Sequence, residues 1–345
     1  MKENSVKQNA IVFGIGRNYH HLYAPICAEY NIIALSDNNC DKWNGTDTLS
    51  GKLIVAPQKI KDYMVGDCKL LITPANYGEI VYQLLMQLNL SQVSVCISMI
   101  DAQRLKLVEF FMENDIITLL YNSFEIKVRA SYERVLSILL EIFAKEEYGI
   151  EYPFNSNSDG AVVIDIGMNV GCASLYFANL MNVTKVYSYE PFKENYCEAL
   201  SNFALNPNLS SKIVPHNFGL GNGNYLLSVN GGISCRKDIS GELLQITIND
   251  AAEILGPIID EHGKMGKIWL KCDCEGGEYD IFESLGKDLL SKIDIITMEW
   301  HGHCDKLKFL KEMLLKNGFA FRVDCNLVVD LGMIYALNIK RDENS

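Results

Sequence analysis

The sequence has few basic residues and no long apolar run. Lysine and arginine together number 31 against 43 aspartates and glutamates, which gives the 345 residues a net charge of −12. Proteins that bind nucleic acid neutralise phosphates with basic surfaces, so this balance argues against a nucleic-acid partner. No apolar run approaches the roughly eighteen residues that cross a bilayer, and we therefore expect no membrane span.

Paired cysteine motifs and the features of a secretion signal are also missing. The 11 cysteines are scattered, and none stands in a C-x-x-C spacing. The first residues, MKENSVKQNAIVFGIG, lack the apolar core and the cleavage site of a signal peptide. These absences predict reduced thiols in a cytoplasmic protein.

The chain is organised around residues 161–191, AVVIDIGMNVGCASLYFANLMNVTKVYSYEP. The apolar run AVVID ends in a turn from Gly167 to Gly171, and a segment with helical spacing leads to a second strand that closes at Glu190. This pattern predicts a βαβ unit whose turn lies at the ligand-binding edge of the sheet. The glycines let the backbone approach a ligand, and Glu190 stands where a carboxylate can accept both hydroxyls of a ribose.

The turn indicates which nucleoside to expect. It reads D-x-G-x-x-x-G, whereas dinucleotide sites need G-x-G-x-x-G. Asp165 at this turn would repel a diphosphate but can pair with an amine. S-adenosylmethionine, a nucleoside that carries an amino acid, fits this turn better than NAD. The alternative is a plain strand-to-helix turn without a ligand.

Four segments resemble the motifs of FkbM-type S-adenosylmethionine-dependent methyltransferases. The run IWLKCDCEGGE at 268–278 is similar to the K-I-D-x-E-G-x-E signature of that family, and IDIITMEWHGH is similar to its Glu-x-His strand. VIDIGMNVG and YSYEP match the first two motifs, so the resemblance covers about residues 161–340. Cys274, Gly277 and Trp300 are mild departures from the pattern. The resemblance implies a class I methyltransferase fold, with a mostly parallel seven-stranded α/β sheet, and O-methylation of a sugar, glycan or related natural product.

Residues 1–100 have an α/β pattern of their own. Four apolar runs (AIVFGIG, NIIALSDNN, KLLITPAN and VSVCIS) alternate with helix-like stretches, which predicts a smaller Rossmann-like domain resembling those of sugar-modifying enzymes. The dinucleotide fingerprint loses its third glycine after Gly14 and Gly16, and Tyr19 stands where a small residue is needed. We expect this domain to serve substrate docking or homo-oligomer assembly. The alternatives are an NAD-dependent sugar-modifying enzyme and a non-catalytic binding or assembly protein.

The next residues show apolar stripes at helical spacing. Leu107, Phe110 and Phe111 form one stripe, and apolar residues within 135–143 form another. This spacing predicts a helical connector over residues 101–158, with the methyltransferase domain at 159–345.

Candidate catalytic groups follow the predicted fourth and fifth strands. Asp273 is expected to orient the donor or the acceptor, and His301 or Lys271 to take the hydroxyl proton, because histidine titrates near neutrality. Glu275 and Glu299 are further candidates at this edge. The alternative for Lys271 is a structural salt bridge.

Cofactor contacts are expected from the glycine turn and from the ends of the second and third strands: Asp165, Gly167, Asn169, Gly171, Glu190, Asn217 and Phe218. Asn169 is placed to reach the methionine tail, and Asn217 and Phe218 to meet the adenine ring. The spacing of His301, His303 and Cys304 is not one that zinc sites use, so no metal site is expected. The acceptor is expected to be a small molecule or a saccharide, whose identity cannot be read from loop residues.

Overall fold

The computed structural model describes residues 7–74, 76–97, 105–121, 124–129, 133–143, 147–149, 160–230, 243–302, 304–326 and 331–342. The chain divides into two compact units, Met1–Glu146 and Glu147–Ser345. Among the described residues, no helix combines the length and the apolar character needed to cross a membrane.

The first unit is built on an eight-stranded sheet. Its parallel strands are β1 (Gln8–Phe13), β2 (Tyr30–Ser36), β3 (Ile54–Val55), β4 (Cys68–Ile72) and β5 (Gln92–Ile97). Antiparallel strands β6 (Lys106–Glu113), β7 (Ile116–Tyr121) and β8 (Phe124–Arg129) extend it, giving the order β3-β2-β1-β4-β5-β6-β7-β8. The helices are α1 (Arg17–Glu29), α2 (Ile60–Tyr63), α3 (Tyr77–Tyr82) and α4 (Glu133–Phe143), with 3-10 turns at Cys40–Lys42 and Pro57–Lys59 and a π turn at Gln83–Gln87.

The prediction of a helical connector over 101–158 was wrong for most of the residues that the structure describes there. Strands β6, β7 and β8 occupy this span, and only α4 is helical. In β6 the fully buried residues are Val108 and Phe110, which follow the two-residue period of a strand. The spacing of Leu107, Phe110 and Phe111 suggested a helix because a short apolar run fits both periods. Residues 150–159 lie outside the described part of the chain.

The second unit is built on a seven-stranded sheet and a small three-stranded one. Its strands are β9 (Ala161–Ile166), β10 (Val183–Tyr189), β11 (Ile213–His216), β12 (Gly219–Gly221), β13 (Tyr225–Asn230), β14 (Leu243–Asp250), β15 (Lys267–Cys272), β16 (Ile295–His301), β17 (Phe319–Asn326) and β18 (Leu331–Asn338). The helices are α5 (Cys172–Asn179), α6 (Lys193–Ala204), α7 (Pro207–Ser210), α8 (Ala251–His262), α9 (Glu278–Leu290), α10 (Cys304–Lys316) and α11 (Ile339–Asp342).

The large sheet has the order β11-β10-β9-β15-β16-β18-β17. Strand β9 lies at its centre, parallel to β10 and β15, and all six of its residues are buried. A strand covered on both faces reads as a continuous apolar run, which explains why AVVIDI was recognisable in the sequence. The expected mostly parallel methyltransferase sheet is confirmed, and the carboxyl ends of β9, β10, β15 and β16 meet at one edge.

The last two strands, β17 and β18, form an antiparallel pair. Strand β18 also runs antiparallel to β16, which places Leu331 opposite His301. The small sheet contains an antiparallel pairing of β13 with β14. Residues 231–242, between these two strands, lie outside the described part of the chain.

Candidate active site

The glycine turn after β9 lies directly against the end of β15. Gly167 has φ +78°, and a Cβ built on it would lie 1.7 Å from the backbone oxygen of Asp273. Only glycine therefore permits this approach. Gly171 has φ +87°, and a Cβ there would lie 2.6 Å from the Phe203 ring, so this glycine is needed for packing at the start of α5.

Glu190 is held beside this turn at the end of β10. Its side chain is buried; Oε2 accepts the Asn169 N–H at 2.8 Å and Oε1 accepts the Phe192 N–H at 2.9 Å. Burial raises the pKa of Glu190 to about 7, although these backbone hydrogen bonds act in the opposite direction. Oε1 also accepts Asn195 Nδ2 at 3.4 Å, whereas a carboxylate oxygen with one donor, such as Oε2, has the capacity to accept a hydroxyl as well. The position and the chemistry of this acid fit the ribose of a nucleoside.

Asn169 is the strained residue of the turn. Its φ of +53° lies in the left-handed region, where asparagine is tolerated better than most residues. This conformation directs the backbone N–H of Asn169 at the Glu190 carboxylate. The hydrogen bond connects the turn after β9 to the end of β10. The side chain is partly exposed, so the expected contact with the methionine tail stays a prediction.

Asp165 and Lys271 form a buried ion pair beneath the turn. Lys271 Nζ lies 3.0 Å from Asp165 Oδ1, and both side chains are almost completely buried. Asp165 Oδ2 accepts the Ser174 hydroxyl at 2.5 Å, and Lys271 Nζ donates to the Gly167 carbonyl at 2.7 Å. The amine beside Asp165 is therefore that of Lys271.

This pairing favours the salt-bridge alternative for Lys271 over proton transfer. Burial alone would lower the pKa of Lys271, but the carboxylates of Asp165 and Asp273 raise it above its usual range. An ammonium held in this way is a poor proton acceptor. Lys271 instead fixes the position of the turn relative to β15.

Three predicted catalytic residues converge where β15 and β16 end. One side-chain oxygen or nitrogen from each of Asp273, Glu299 and His301 lies within 4.8 Å of the other two. Burial raises the pKa of Glu299 to about 8, and the nearby charge of Asp273 contributes in the same direction. The structure thus brings together a crowded group of acids and an imidazole next to the glycine turn.

His301 is oriented by a buried acid. Its Nδ1 lies 3.0 Å from Oε1 of Glu278, the first residue of α9, which is completely buried. Burial alone would lower the pKa of His301, but the hydrogen bond and charge of Glu278 raise it to about 9. The sequence argument assumed an ordinary histidine pKa, whereas the acids around this imidazole raise its pKa. His303 lies outside the described residues.

Glu275 lies at the exposed side of this group. Its Oε2 is 3.6 Å from His301 Nε2, its side chain is half exposed, and its φ of +57° is unusual for a residue other than glycine. Cys272 and Cys274 flank Asp273, and their sulfur atoms lie 3.8 Å apart. Cys272 is completely buried, as expected for a packed core thiol.

Asn217 and Phe218 come directly after β11, which pairs with β10 on the side away from β9. Asn217 is exposed, and its Nδ2 donates to the Glu190 carbonyl at 2.9 Å. Its amide therefore supports the chain after β10, which is a structural use that the sequence did not indicate. The Phe218 ring is partly buried, 5.5 Å from the Tyr189 ring, and Tyr189 stacks on His216 at 4.9 Å.

Sequence reasoning missed Tyr148. Its buried hydroxyl donates to Asp273 Oδ2 at 2.7 Å, and its ring lies 5.1 Å from Lys271 Nζ. Burial and the charge of Asp273 raise the pKa of Tyr148, which keeps the hydroxyl protonated as a donor. The residue fell in the predicted connector and belongs to no recognisable motif, so nothing local in the sequence indicated this contact.

In the first unit, the acid that follows β2 is Asp37, and neighbouring groups of the same unit bind its carboxylate. Asp37 Oδ2 accepts the Ile15 N–H at 3.0 Å and pairs with Lys42 Nζ at 2.9 Å. Tyr19 is completely buried, and its hydroxyl donates to Asp47 at 3.0 Å. The carboxylate that would read a ribose in a dinucleotide site is therefore already bound within the turn.

A family model matches part of the second unit. Residues 165–321 match the model of the methyltransferase FkbM domain. No curated protein matches the chain.

Several solved structures are similar to the chain at low sequence identity. Methyltransferase FkbM from Methylobacillus flagellatus KT is 14% identical, with 95% of this chain and 90% of that chain covered and a TM-score of 0.37. Precorrin-6y C5,15-methyltransferase from Geobacter metallireducens is 13% identical over 60% of this chain and 90% of that chain, with a TM-score of 0.31. A Streptococcus pneumoniae protein assigned as a tRNA methyltransferase, solved with S-adenosyl-L-methionine, is 14% identical over 52% of this chain and 67% of that chain, with a TM-score of 0.31.

Proposed function

Because residues 165–321 match the model of the methyltransferase FkbM domain, we propose that this protein transfers a methyl group from S-adenosylmethionine to a hydroxyl on a sugar, glycan or related natural product. S-adenosylmethionine supplies a methyl group on a positively charged sulfur, from which an oxygen nucleophile displaces it while the bonding electrons return to sulfur. The observation that carries the proposal is Glu190, a buried acid tied through the Asn169 amide to the turn after β9.

The donor would lie along the edge formed by β9, β10 and β11. We assign the ribose hydroxyls to Glu190 and the amino-acid tail to the turn at 167–171, with Asn169. The adenine ring is assigned to the surface of Phe218, which packs near Tyr189. Holding a donor in one orientation supplies much of the acceleration in a transfer of this type.

The acceptor would lie on the other side of the turn, next to Asp273, Glu299 and His301. Lys271 joins the two sides, since it donates to the Gly167 carbonyl and lies 4.0 Å from Asp273 Oδ2. Carboxylates accept hydrogen bonds from hydroxyls, which suits a saccharide. The hydroxyl proton has to leave as the new C–O bond forms, and this group of side chains, with Glu275 at its exposed side, surrounds that position.

The remaining expectations stay part of the proposal. We infer a cytoplasmic protein, supported by the eight free cysteines among the described residues. The net charge of −12 disfavours a nucleic-acid acceptor. We assign substrate docking or homo-oligomer assembly to the first unit, and we place the start of the methyltransferase domain near Glu147, because Tyr148 contacts Asp273.

Transfer of labelled methyl groups tests this function. The native protein, incubated with methyl-labelled S-adenosylmethionine and a panel of mono- and oligosaccharides, should label at least one saccharide on oxygen. Glu190→Gln should lose most of this activity at low donor concentration. Glu194→Gln is the matched control, because Glu194 is an exposed acid on α6, four residues along the chain. Labelling of protein or nucleic acid instead of any saccharide would contradict the proposed acceptor.

A further inference from the structure

Two carboxylates and an imidazole meet at the ends of adjacent parallel strands. The ligand atoms of Asp273, Glu299 and His301 lie within 4.8 Å of one another, and β15 pairs with β16 in register up to Cys272 and Met298. The sheet therefore fixes the backbone from which these side chains project. Ligands of an ion with bonds of about 2.1 Å lie about 3–4 Å apart, so small side-chain rotations bring these atoms to bonding distance.

The histidine is already arranged as metal-binding histidines are. Its Nδ1 lies 3.0 Å from Oε1 of the buried Glu278, and the same oxygen accepts the N–H groups of Cys274 and Gly276. A histidine ligand almost always gives its second ring nitrogen to a carboxylate or carbonyl in this way, which fixes its tautomer and orientation. Nε2 of His301 is then the nitrogen that remains for a ligand.

The charges around these residues favour a cation. Glu299 is close to the carboxylates of Asp273, Glu147 and Glu275. The imidazole of His301 lies near it as an opposing charge. Lys271 is engaged with Asp165 at 3.0 Å and lies 4.0 Å from Asp273. Like charges in a partly buried position repel one another strongly, and a bound cation relieves this repulsion.

We propose that Asp273, Glu299 and His301 bind one divalent metal ion, and that this ion holds neighbouring hydroxyls of the acceptor; the second part rests on the proposed function. Mn²⁺ suits the donor set, because it accepts carboxylate oxygens and imidazole nitrogen alike. Tyr148 donates to Oδ2 of Asp273 and thereby orients this carboxylate.

The ion would change the role of each residue. Three protein ligands leave positions for two adjacent hydroxyls of a saccharide, and an ion lowers the pKa of a hydroxyl that it binds. The hydroxyl proton then passes to water, and its oxygen attacks the methyl carbon. His301 acts as a ligand in this arrangement, which agrees with an imidazole whose second nitrogen is tied to Glu278.

Binding of Mn²⁺ to the full-length protein tests the proposal without an activity assay. The room-temperature electron paramagnetic resonance signal of free Mn²⁺ should fall in a saturable way, with one site per chain. Glu299→Gln and Asp273→Asn should each weaken binding by about tenfold or more. Asp280→Asn, which removes an exposed negative charge on α9 outside the group of three, should weaken binding by less than about threefold, since charge screening limits its effect.

Three results would overturn the site. They are the absence of saturable binding below millimolar Mn²⁺, an equal loss in Asp280→Asn and Glu299→Gln, and the absence of imidazole-nitrogen modulation in the electron spin echo of Mn²⁺ bound to the native protein. The last measurement needs no variant, so it holds even if a variant fails to fold. Titration of the same samples with S-adenosylhomocysteine separates the two proposals, because donor binding without Mn²⁺ binding overturns the metal site alone.

Discussion

Replacing Lys271 with methionine should destabilise the protein strongly. The substitution keeps an unbranched side chain, one atom shorter, but removes the ammonium that lies 3.0 Å from Asp165. Asp165 has no exposed surface, and its remaining side-chain donor is the Ser174 hydroxyl at 2.5 Å. The carboxylate would be left buried without an opposing charge at contact distance.

The size of the effect follows from this burial. Removing one partner of a buried ion pair costs about 3–5 kcal/mol, whereas exposed pairs contribute at most about 1 kcal/mol. For a domain of this size that loss lowers the melting temperature by about 6–20 °C. Urea denaturation followed by circular dichroism measures the loss directly.

A double-mutant cycle identifies the cause. Asp165→Asn removes the charge and keeps the shape, so adding it to Lys271→Met should restore about 2 kcal/mol or more of the loss. A Lys271→Met protein that melts within about 2 °C of the native one, which corresponds to less than about 1 kcal/mol, would refute this reasoning. Normal stability together with abolished turnover would return Lys271 to the role of proton acceptor.

Three further predictions concern Glu190, Tyr148 and the first unit. Burial raises the pKa of Glu190 to about 7. Calorimetry should therefore show that the affinity for S-adenosylhomocysteine increases between about pH 6 and pH 8, as the Glu190 carboxylate ionises. Glu190→Gln should flatten this profile. The same raised pKa means that the unliganded protein loses stability as the pH rises from about 4.5 through about 7, because the folded form holds the proton more tightly. Tyr148→Phe should lower turnover about tenfold with donor affinity within about twofold, since it removes one hydrogen bond to the charged Asp273; equal losses in both would indicate packing alone. NADH should show no saturable fluorescence change at sub-millimolar concentration, because Asp37 is already bound to Ile15 and Lys42; saturation would favour an oxidoreductase.

The large sheet was predictable because its central strands are covered on both faces. Burial of every residue of β9 gives an apolar run that ends at a glycine turn, and both features are visible in the sequence. The position of Glu190 followed from the same pattern, since it comes directly after β10. By contrast, β6 is a strand whose apolar residues happen to fit a helical spacing, so local pattern alone could not decide its structure.

The contacts of the candidate site depended on tertiary structure. Asp165 and Lys271 are far apart in the sequence and stand opposite each other because β9 and β15 pair in parallel. The hydrogen bond between Glu278 and His301 exists only because α9 begins beside the end of β16. Tyr148 reaches Asp273 from outside any motif. Residue types at strand ends indicated which side chains to consider, but their partners required the fold.

The central claim is that the edge beside Glu190 binds the nucleoside of a methyl donor. Calorimetric titration with S-adenosylhomocysteine tests it most directly, with the native protein, Glu190→Gln and the exposed-site control Glu194→Gln. The account predicts one site per chain, an affinity that Glu194→Gln leaves unchanged, and a loss of about 1.5–3 kcal/mol in Glu190→Gln, the contribution of hydrogen bonds to a charged group. No binding by the native protein, or undiminished affinity in a folded Glu190→Gln protein, would contradict it.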